Sequence, residues 1–329
     1  MKILIIGAAG MIGRKLTTAL TERGVLLGQP ISSLTLVDVV APDAVMLPGA
    51  DVSVAAVDIT DPLSAEKLVA GRPDVIFHLA AIVSGEAELD FEKGYAVNLD
   101  GTRYLLDAIR REGLSQSYRP RLIFTSSIAV FGAPFPDKIS DEFFQTPRTC
   151  YGTQKAISEL LLSDYSRRGF VDGIGIRLPT ICIRPGKPNK AASGFFSSIL
   201  REPLVGQEAV LPVSEDVRHW HASPRAAIGF LLRAAEIDTA ALGTRRNLNM
   251  PGLSATVAEQ IEALRRVAGD KAVSLIRREP DQMIAEIVAG WPTDFDAARA
   301  TELGFVADRS FDDIIRIHIQ DELGGKLPA

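Results

Sequence analysis

Apolar residues follow two rhythms along the first half of the chain. Short, nearly continuous β-rich runs at Lys2–Ile6, Leu34–Val39, Val52–Val57, Val75–Leu79, Arg121–Ser126 and Gly173–Leu178 predict strands. Stretches of helical period at Met11–Arg23, Leu63–Ala70, Leu89–Arg111 and Tyr151–Arg168 predict the helices between them. A strand buried on both faces has no polar alternation, so such runs separated by helices predict an α/β fold: a doubly wound parallel sheet with helices on both sides. Gly24, Gly71, Gly113 and Gly169 follow the four helices and are expected to end them in the left-handed conformation.

The rhythm changes after Leu178. Residues 179–224 hold Pro179, Pro185, Pro188, Pro203, Pro212 and Pro224, which predicts mostly loop and short helix. Arg225–Glu236 and Val257–Ala268 read as amphipathic helices, Asn247–Met250 as a strand returning to the sheet, and 269–329 as ending in a short helical tail. The expected division is therefore a strand–helix domain at 1–178 and a smaller mixed region at 179–329, from which a segment near 225–250 returns to the first.

Composition narrows the functional classes. Across 329 residues, 47% are hydrophobic and 23% charged, with a net charge of −5, so nothing draws the chain to nucleic acid or an anionic membrane. The apolar runs are too short for a membrane span, and Lys2–Ile6 reads as a core strand in place of a secretory signal. Two cysteines, Cys150 and Cys182, make no disulfide framework, and a cytoplasmic location is expected. No His/Cys/Asp/Glu spacing suggests a metal.

The chemistry begins at Gly7-Ala8-Ala9-Gly10-Met11-Ile12-Gly13, between the first strand and the first helix. Glycines there permit a tight turn and close approach to a pyrophosphate, and the helix start offers N–H donors to it. Asp38 ends the second strand, where a carboxylate accepts both ribose hydroxyls of an adenosine and repels the extra phosphate of NADP. Val39 and Val40 offer no compensating cation, so NAD is expected. Asp58 and Ile59 are candidate adenine contacts. Leu79, Ala80 and Ala81 place small residues where the cofactor must pass, and Pro179 and Thr180 are further candidate contacts. His78 is expected to be a packed strand-end histidine.

Tyr151-Gly152-Thr153-Gln154-Lys155 puts a phenol and an amine four apart, on one helix face. An ammonium favours the phenolate, which lets tyrosine act as a general base near neutrality. Ser127, at the end of a buried strand, is placed to polarise a substrate oxygen. Asn98, on the preceding long helix, is placed to hold a helix bend or a relay water.

Taken in order and spacing, the glycine motif, Asp38, His78–Ala81, Asn98–Thr102, Thr125–Gly132 and Tyr151–Lys155 resemble the extended short-chain dehydrogenase/reductases, the NAD-dependent epimerase/dehydratase family, over essentially the whole chain. The resemblance implies a Rossmann fold and hydride exchange with NAD(P). It implies Ser127, Tyr151 and Lys155 as a catalytic triad, completed to a tetrad by Asn98. It also implies a homodimer through a four-helix bundle built from Leu89–Arg111 and Tyr151–Arg168.

Sugar-nucleotide members usually carry an R-D-[FY]-[IV]-H-V-x-D stretch; the matching Arg218-His219-Trp220-His221-Ala222-Ser223-Pro224-Arg225 keeps the arginine and the aromatic. Dehydratases place an Asp-Glu pair where Ile128 and Ala129 stand, which argues against that activity. Segments around Ser84, Tyr151, Ser166–Gly173 and Arg177–Asn189 resemble a narrower group, the D-erythronate dehydrogenases, which implies oxidation of C2 of a four-carbon sugar acid. Such a substrate needs a cation for its carboxylate, from Arg184, Lys187 or Arg218, and hydroxyl partners from Ser84, Ser127, Thr180, Asn189 and His221. The rival expectations are a sugar-nucleotide epimerase, a dehydrogenase of another sugar, and a non-catalytic NAD-sensing regulator, the last disfavoured because Tyr151 and Lys155 are both present.

Overall fold

Seven strands form the central sheet of the computed structural model, which describes residues 1–186 and 192–327. They are β1 (Lys2–Ile6), β2 (Ser33–Asp38), β3 (Asp51–Ala56), β4 (Val75–His78), β5 (Arg121–Ser127), β6 (Asp172–Leu178) and β7 (Asn247–Asn249). Their order is β7-β6-β5-β4-β1-β2-β3. The pairs β1–β2, β2–β3, β1–β4 and β4–β5 are parallel. The order reverses between β1 and β4, and ligands of open α/β sheets bind at such a switch point, beyond the strands' C-terminal ends. Apart from the exposed Lys2 and the buried His78, strands β1 and β4 are apolar and buried, as a sheet covered on both faces requires.

Four helices matter most to the site: α1 (Met11–Arg23), α2 (Pro62–Ala70), α3 (Gly101–Ser115) and α4 (Cys150–Arg167). Packing of α2, α3 and α4 on the sheet builds a core that includes Leu4, Ile76, Leu105, Ile109, Phe124 and Leu162. The expected helix over 89–111 is broken. Short helices at Ser84–Leu89 and Phe91–Gly94 lead into a π-helical stretch, Tyr95–Asp100, before α3 begins. Two of the four glycine terminators are left-handed, Gly24 (φ 64°) and Gly169 (φ 78°). Gly71 is right-handed, with Arg72 taking the positive φ (49°) beside it, and Gly113 lies inside α3.

The chain divides into two units. The first comprises 1–130, 147–177 and 228–248; the second comprises 131–146, 178–227 and 249–329. Residues 131–146, assigned to the first domain by the strand–helix alternation, thus lie in the second. The stretch expected to be mostly loop is more regular than its prolines suggest: strands Thr180–Ile181, Ala209–Leu211 and Arg218–Ala222 flank an eleven-residue helix, Gly194–Leu204. Pro203 sits in the last turn of that helix, which ends one residue later. The second unit has its own core, including Phe196, Ile199, Leu264, Ile276 and Ile315. Among the described residues, no helix is long and apolar enough to cross a membrane.

Candidate active site

The turn after β1 is built by its glycines. Gly7 has φ 95°, and a Cβ on it would lie 2.6 Å from the backbone nitrogen of Ala80, just past β4. A Cβ on Gly13 would lie 2.2 Å from the Gly7 carbonyl oxygen. Side chains at either position would push apart the turn, α1 and the end of β4. Gly10 caps α1 with no side-chain hydrogen bond, and the first turn, with Met11, Ile12 and Gly13, holds no carboxylate. Its positive end is left to an external anion. Asp38, half-buried at the end of β2, takes the backbone N–H of Ala9 (2.9 Å) and of Val39 (2.7 Å). Those bonds fix the carboxylate beside the glycine turn and leave lone pairs for further donors. A cradle closed by missing Cβ atoms and flanked by a fixed carboxylate fits a dinucleotide diphosphate with its adenosine ribose.

Around this cradle, Leu79 and Ala80 donate their N–H groups to the Ile6 carbonyl, continuing the β1–β4 ladder to the turn, with Ala81 next in the chain. Asp58 is exposed and closes a local turn on Thr60, while Ile59 packs against Gly101. His78 is buried; its Nε2 lies 2.9 Å from the Thr102 hydroxyl, and its ring packs against Phe124. Burial, assisted by the nearby Lys155 charge, pushes its pKa down to about 3, so it stands neutral.

The second group gathers where β5 meets α4. Thr149 caps α4 by accepting the Gly152 N–H, and the Tyr151 side chain is thereby placed in the first helical turn. Gly152 has its own reason to be glycine: a Cβ there would lie 2.2 Å from the Ala129 carbonyl oxygen. The helix start thus presses directly on the turn after β5, in which the Ala129 N–H donates to the Ser127 hydroxyl (3.1 Å). One turn along α4, Lys155 is fully buried and donates to the Thr125 carbonyl (2.9 Å). Its Nζ lies 4.7 Å from the Phe124 ring centre and 5.7 Å from that of Tyr151. Burial pushes its pKa down to about 7, opposed by the Glu159 carboxylate. The amine is thus held on the strand that ends in Ser127, beside the Tyr151 ring.

Asn98 lies buried within the π-helical stretch. Its Oδ1 accepts the Ile82 N–H, and its Nδ2 donates to the Ile82 carbonyl and to Gln154 Oε1 (2.8 Å). It therefore ties the segment after β4 to α4. Gln154, Glu159 and Arg177 escaped the sequence reading. Glu159 was legible in part, since Tyr151, Lys155 and Glu159 are spaced four apart and share a face.

The expected substrate residues are more dispersed. Ser84 opens the short helix Ser84–Leu89 in the first unit. In the second, Pro179 is buried and the Thr180 hydroxyl lies 2.7 Å from His219 Nε2. Arg184, half-buried, directs Nε at the Ile181 carbonyl. Arg218 is exposed, donates to the Ser254 carbonyl and pairs with Glu259 (3.4 Å), so its charge is already partly balanced. His221 is wholly inaccessible, between Phe196, His219 and Phe311, with Nε2 at Gln260 (3.1 Å). Its setting is that of a core side chain, and no solvent-facing atom is left for a substrate hydroxyl. Lys187 and Asn189 lie outside the described residues. Cys182 is buried, with its thiol pushed up to about 12 by burial, as suits a packing residue.

Comparison with known proteins completes the picture. Residues 3–234 match the model of the NAD dependent epimerase/dehydratase family. The chain belongs to that family. As a member it is an enzyme, and its cofactor is NAD. It is 48% identical to D-erythronate dehydrogenase of Cupriavidus necator, over 98% of each chain. It is 43% identical to D-erythronate dehydrogenase of Haemophilus influenzae, over 98% of this chain and 100% of that one. Among solved structures, it is 68% identical to one described as the nucleoside-diphosphate-sugar epimerase from Agrobacterium tumefaciens, with a TM-score of 0.97, covering 100% of this chain and 96% of that one. The GalE-like L-threonine dehydrogenase from Cupriavidus necator superposes with a TM-score of 0.82 at 25% identity, over 98% of this chain and 99% of that one.

Proposed function

We propose that this enzyme oxidises C2 of a small sugar acid, D-erythronate, to 2-dehydro-D-erythronate. The observation that carries the reading is full-length similarity to two relatives of that name, at 48% and 43% identity. Bound NAD supplies the acceptor for the hydride that leaves C2. Gly7, Gly10, Met11, Ile12 and Gly13 hold its diphosphate, Asp38 the adenosine ribose, and Asp58 and Ile59 the adenine. Leu79, Ala80, Ala81, Asn98, Pro179 and Thr180 line its further course.

Ser127 and Tyr151 hydrogen-bond the reacting hydroxyl, and the Tyr151 phenolate takes its proton. Lys155, as an ammonium, stabilises that phenolate and binds the nicotinamide ribose. The substrate carboxylate is met by a cation from Arg184, Lys187 or Arg218, with Ser84 and Thr180 at the remaining hydroxyls. Leu89, Phe91 and Leu160 expose 77%, 56% and 64% of their surface on the helices expected to form a four-helix bundle, which favours a homodimer through that face.

A nucleotide-sugar epimerase is the second reading, favoured by the solved structure at 68% identity. The two differ in their cofactor balance: a dehydrogenase accumulates NADH, whereas an epimerase returns its hydride each turnover. Reduction of NAD or of NADP is to be followed with D-erythronate, L-threonate and UDP-glucose. Accumulation with D-erythronate and NAD supports the dehydrogenase. An epimer from UDP-glucose, with no NADH from either acid, replaces it with the second reading.

A further inference from the structure

Beneath the Lys155–Tyr151 pair lies a buried charge pair to which the proposed chemistry gives no role. Glu159, one turn beyond Lys155 on α4, is 0% exposed, and Arg177, near the end of β6, is 5% exposed. Arg177 reaches the carboxylate through Nε (3.0 and 3.1 Å) and Nη2 (2.8 Å). The hydroxyl of Ser126 donates to the same carboxylate. Three successive residues of β5 are therefore tied: Thr125 by Lys155 through its carbonyl, Ser126 by Glu159, and Ser127 by the Ala129 N–H.

A buried ion pair is a poor choice for stability alone, because its desolvation offsets most of its attraction and apolar side chains of equal volume do as well. Its position suggests another use. We infer that Glu159, locked by Arg177 and Ser126, is a positioning residue that holds Lys155 in place as an ammonium and keeps Ser127 in register with α4. The inference rests on the proposed roles of Tyr151, Lys155 and Ser127.

The charges facing Lys155 are few. Tyr151 and Glu159 flank it on its own helix, and His78, held neutral, faces it from β4. Arg177 stands behind Glu159 on β6. From β5 it meets the Phe124 ring and the Thr125 carbonyl. Glu159 is thus the anion that offsets the burial of the amine. Without it the amine loses its proton at lower pH and ceases to support a phenolate.

The test is the paired variant Glu159→Gln/Arg177→Met, which removes both charges and leaves neither partner buried alone. Two quantities are compared with the parent protein: the titration midpoint of Lys155, read by NMR of lysine labelled at Cε and assigned with Lys155→Met, and the pH profile of kcat. The expected result is a folded protein whose Lys155 midpoint, and with it the alkaline limb of kcat, falls by about one pH unit or more. A folded variant with both unmoved overturns the inference. Should the pair prove necessary for folding, Ser126→Ala removes one tie alone; a several-fold loss of kcat at constant KM is expected, and a parental kcat overturns the inference. A Tyr151→Phe variant that keeps full turnover defeats the catalytic reading instead, and the Lys155 midpoint still decides the role of Glu159.

Discussion

At position 152 even one methyl group has nowhere to go, because its carbon would lie 2.2 Å from the Ala129 carbonyl oxygen. Gly152→Ala must therefore lift the start of α4 away from the turn that carries Ser127. A displacement of about 1 Å at a reaction centre costs on the order of 100-fold in rate. The expected outcome is a loss of kcat of that order with a fall in stability of about 1–3 kcal/mol, checked by steady-state kinetics beside denaturant melts. Tyr151→Phe keeps the packing and removes the proposed proton acceptor. Its kcat is expected to fall by about 100- to 10,000-fold, while NAD binding measured by calorimetry stays within a few-fold of the parent. Unchanged turnover in Tyr151→Phe would remove tyrosine from the chemistry. The residues behind these predictions were legible because their meaning lies in short spacings: a tyrosine and lysine four apart, and glycines between a strand and a helix. Glu159 and Arg177 were not, since their pairing joins two elements that only the folded sheet brings together. His221 misled because a histidine in a strand carries no mark of which face is covered, and here the flanking aromatic rings close over it.

Elements of the first unit follow the alternation of apolar runs closely, since strands buried on both faces announce themselves by composition. Strand β1 and helix α1 begin and end where the pattern places them. The helix over 89–111 failed as a single element because the local break at Asp90 and the π-helical turn at Tyr95–Asp100 leave the apolar rhythm nearly intact. Between 179 and 224, strands of two to five residues are too short to show a period, so the prolines dominated the reading. The outward face of α4 carries its own expectation. Leu160 is 64% exposed on a helix whose opposite side is occupied by Lys155, Glu159 and Leu162. Leu160→Glu should convert a dimer to a monomer in light scattering, with the far-ultraviolet circular dichroism unchanged. A parent protein that is already monomeric, or a variant that stays dimeric, would move the interface elsewhere.

For the molecule as a whole, acid is the expected weakness. All four histidines, His78, His219, His221 and His318, are buried. Burial lowers His78 to about 3, lowers His219 to about 4 and holds His221 well below its ordinary value. The unfolded chain binds protons at these sites below about pH 6.5 while the folded chain does not, so stability falls as pH drops from there towards the folded values. Each of His78, His219 and His221 contributes up to about 1.4 kcal/mol per pH unit. Denaturant melts between pH 7 and pH 5 should show a steep decline, shallower by about one proton in His219→Gln; a flat profile would mean that these rings are protonated in the fold. The first unit is also assembled from three separate stretches, 1–130, 147–177 and 228–248. Its last strand, β7, is therefore synthesised only after residues 178–227 of the second unit, and no single cut in the gene releases that unit whole. A truncation at residue 178, the border that the change of rhythm predicts, leaves one edge of the sheet without its final strand. Transplanting the unit that carries the glycine turn onto another partner would require exchanging several segments at once, which ties the inheritance of the two units together.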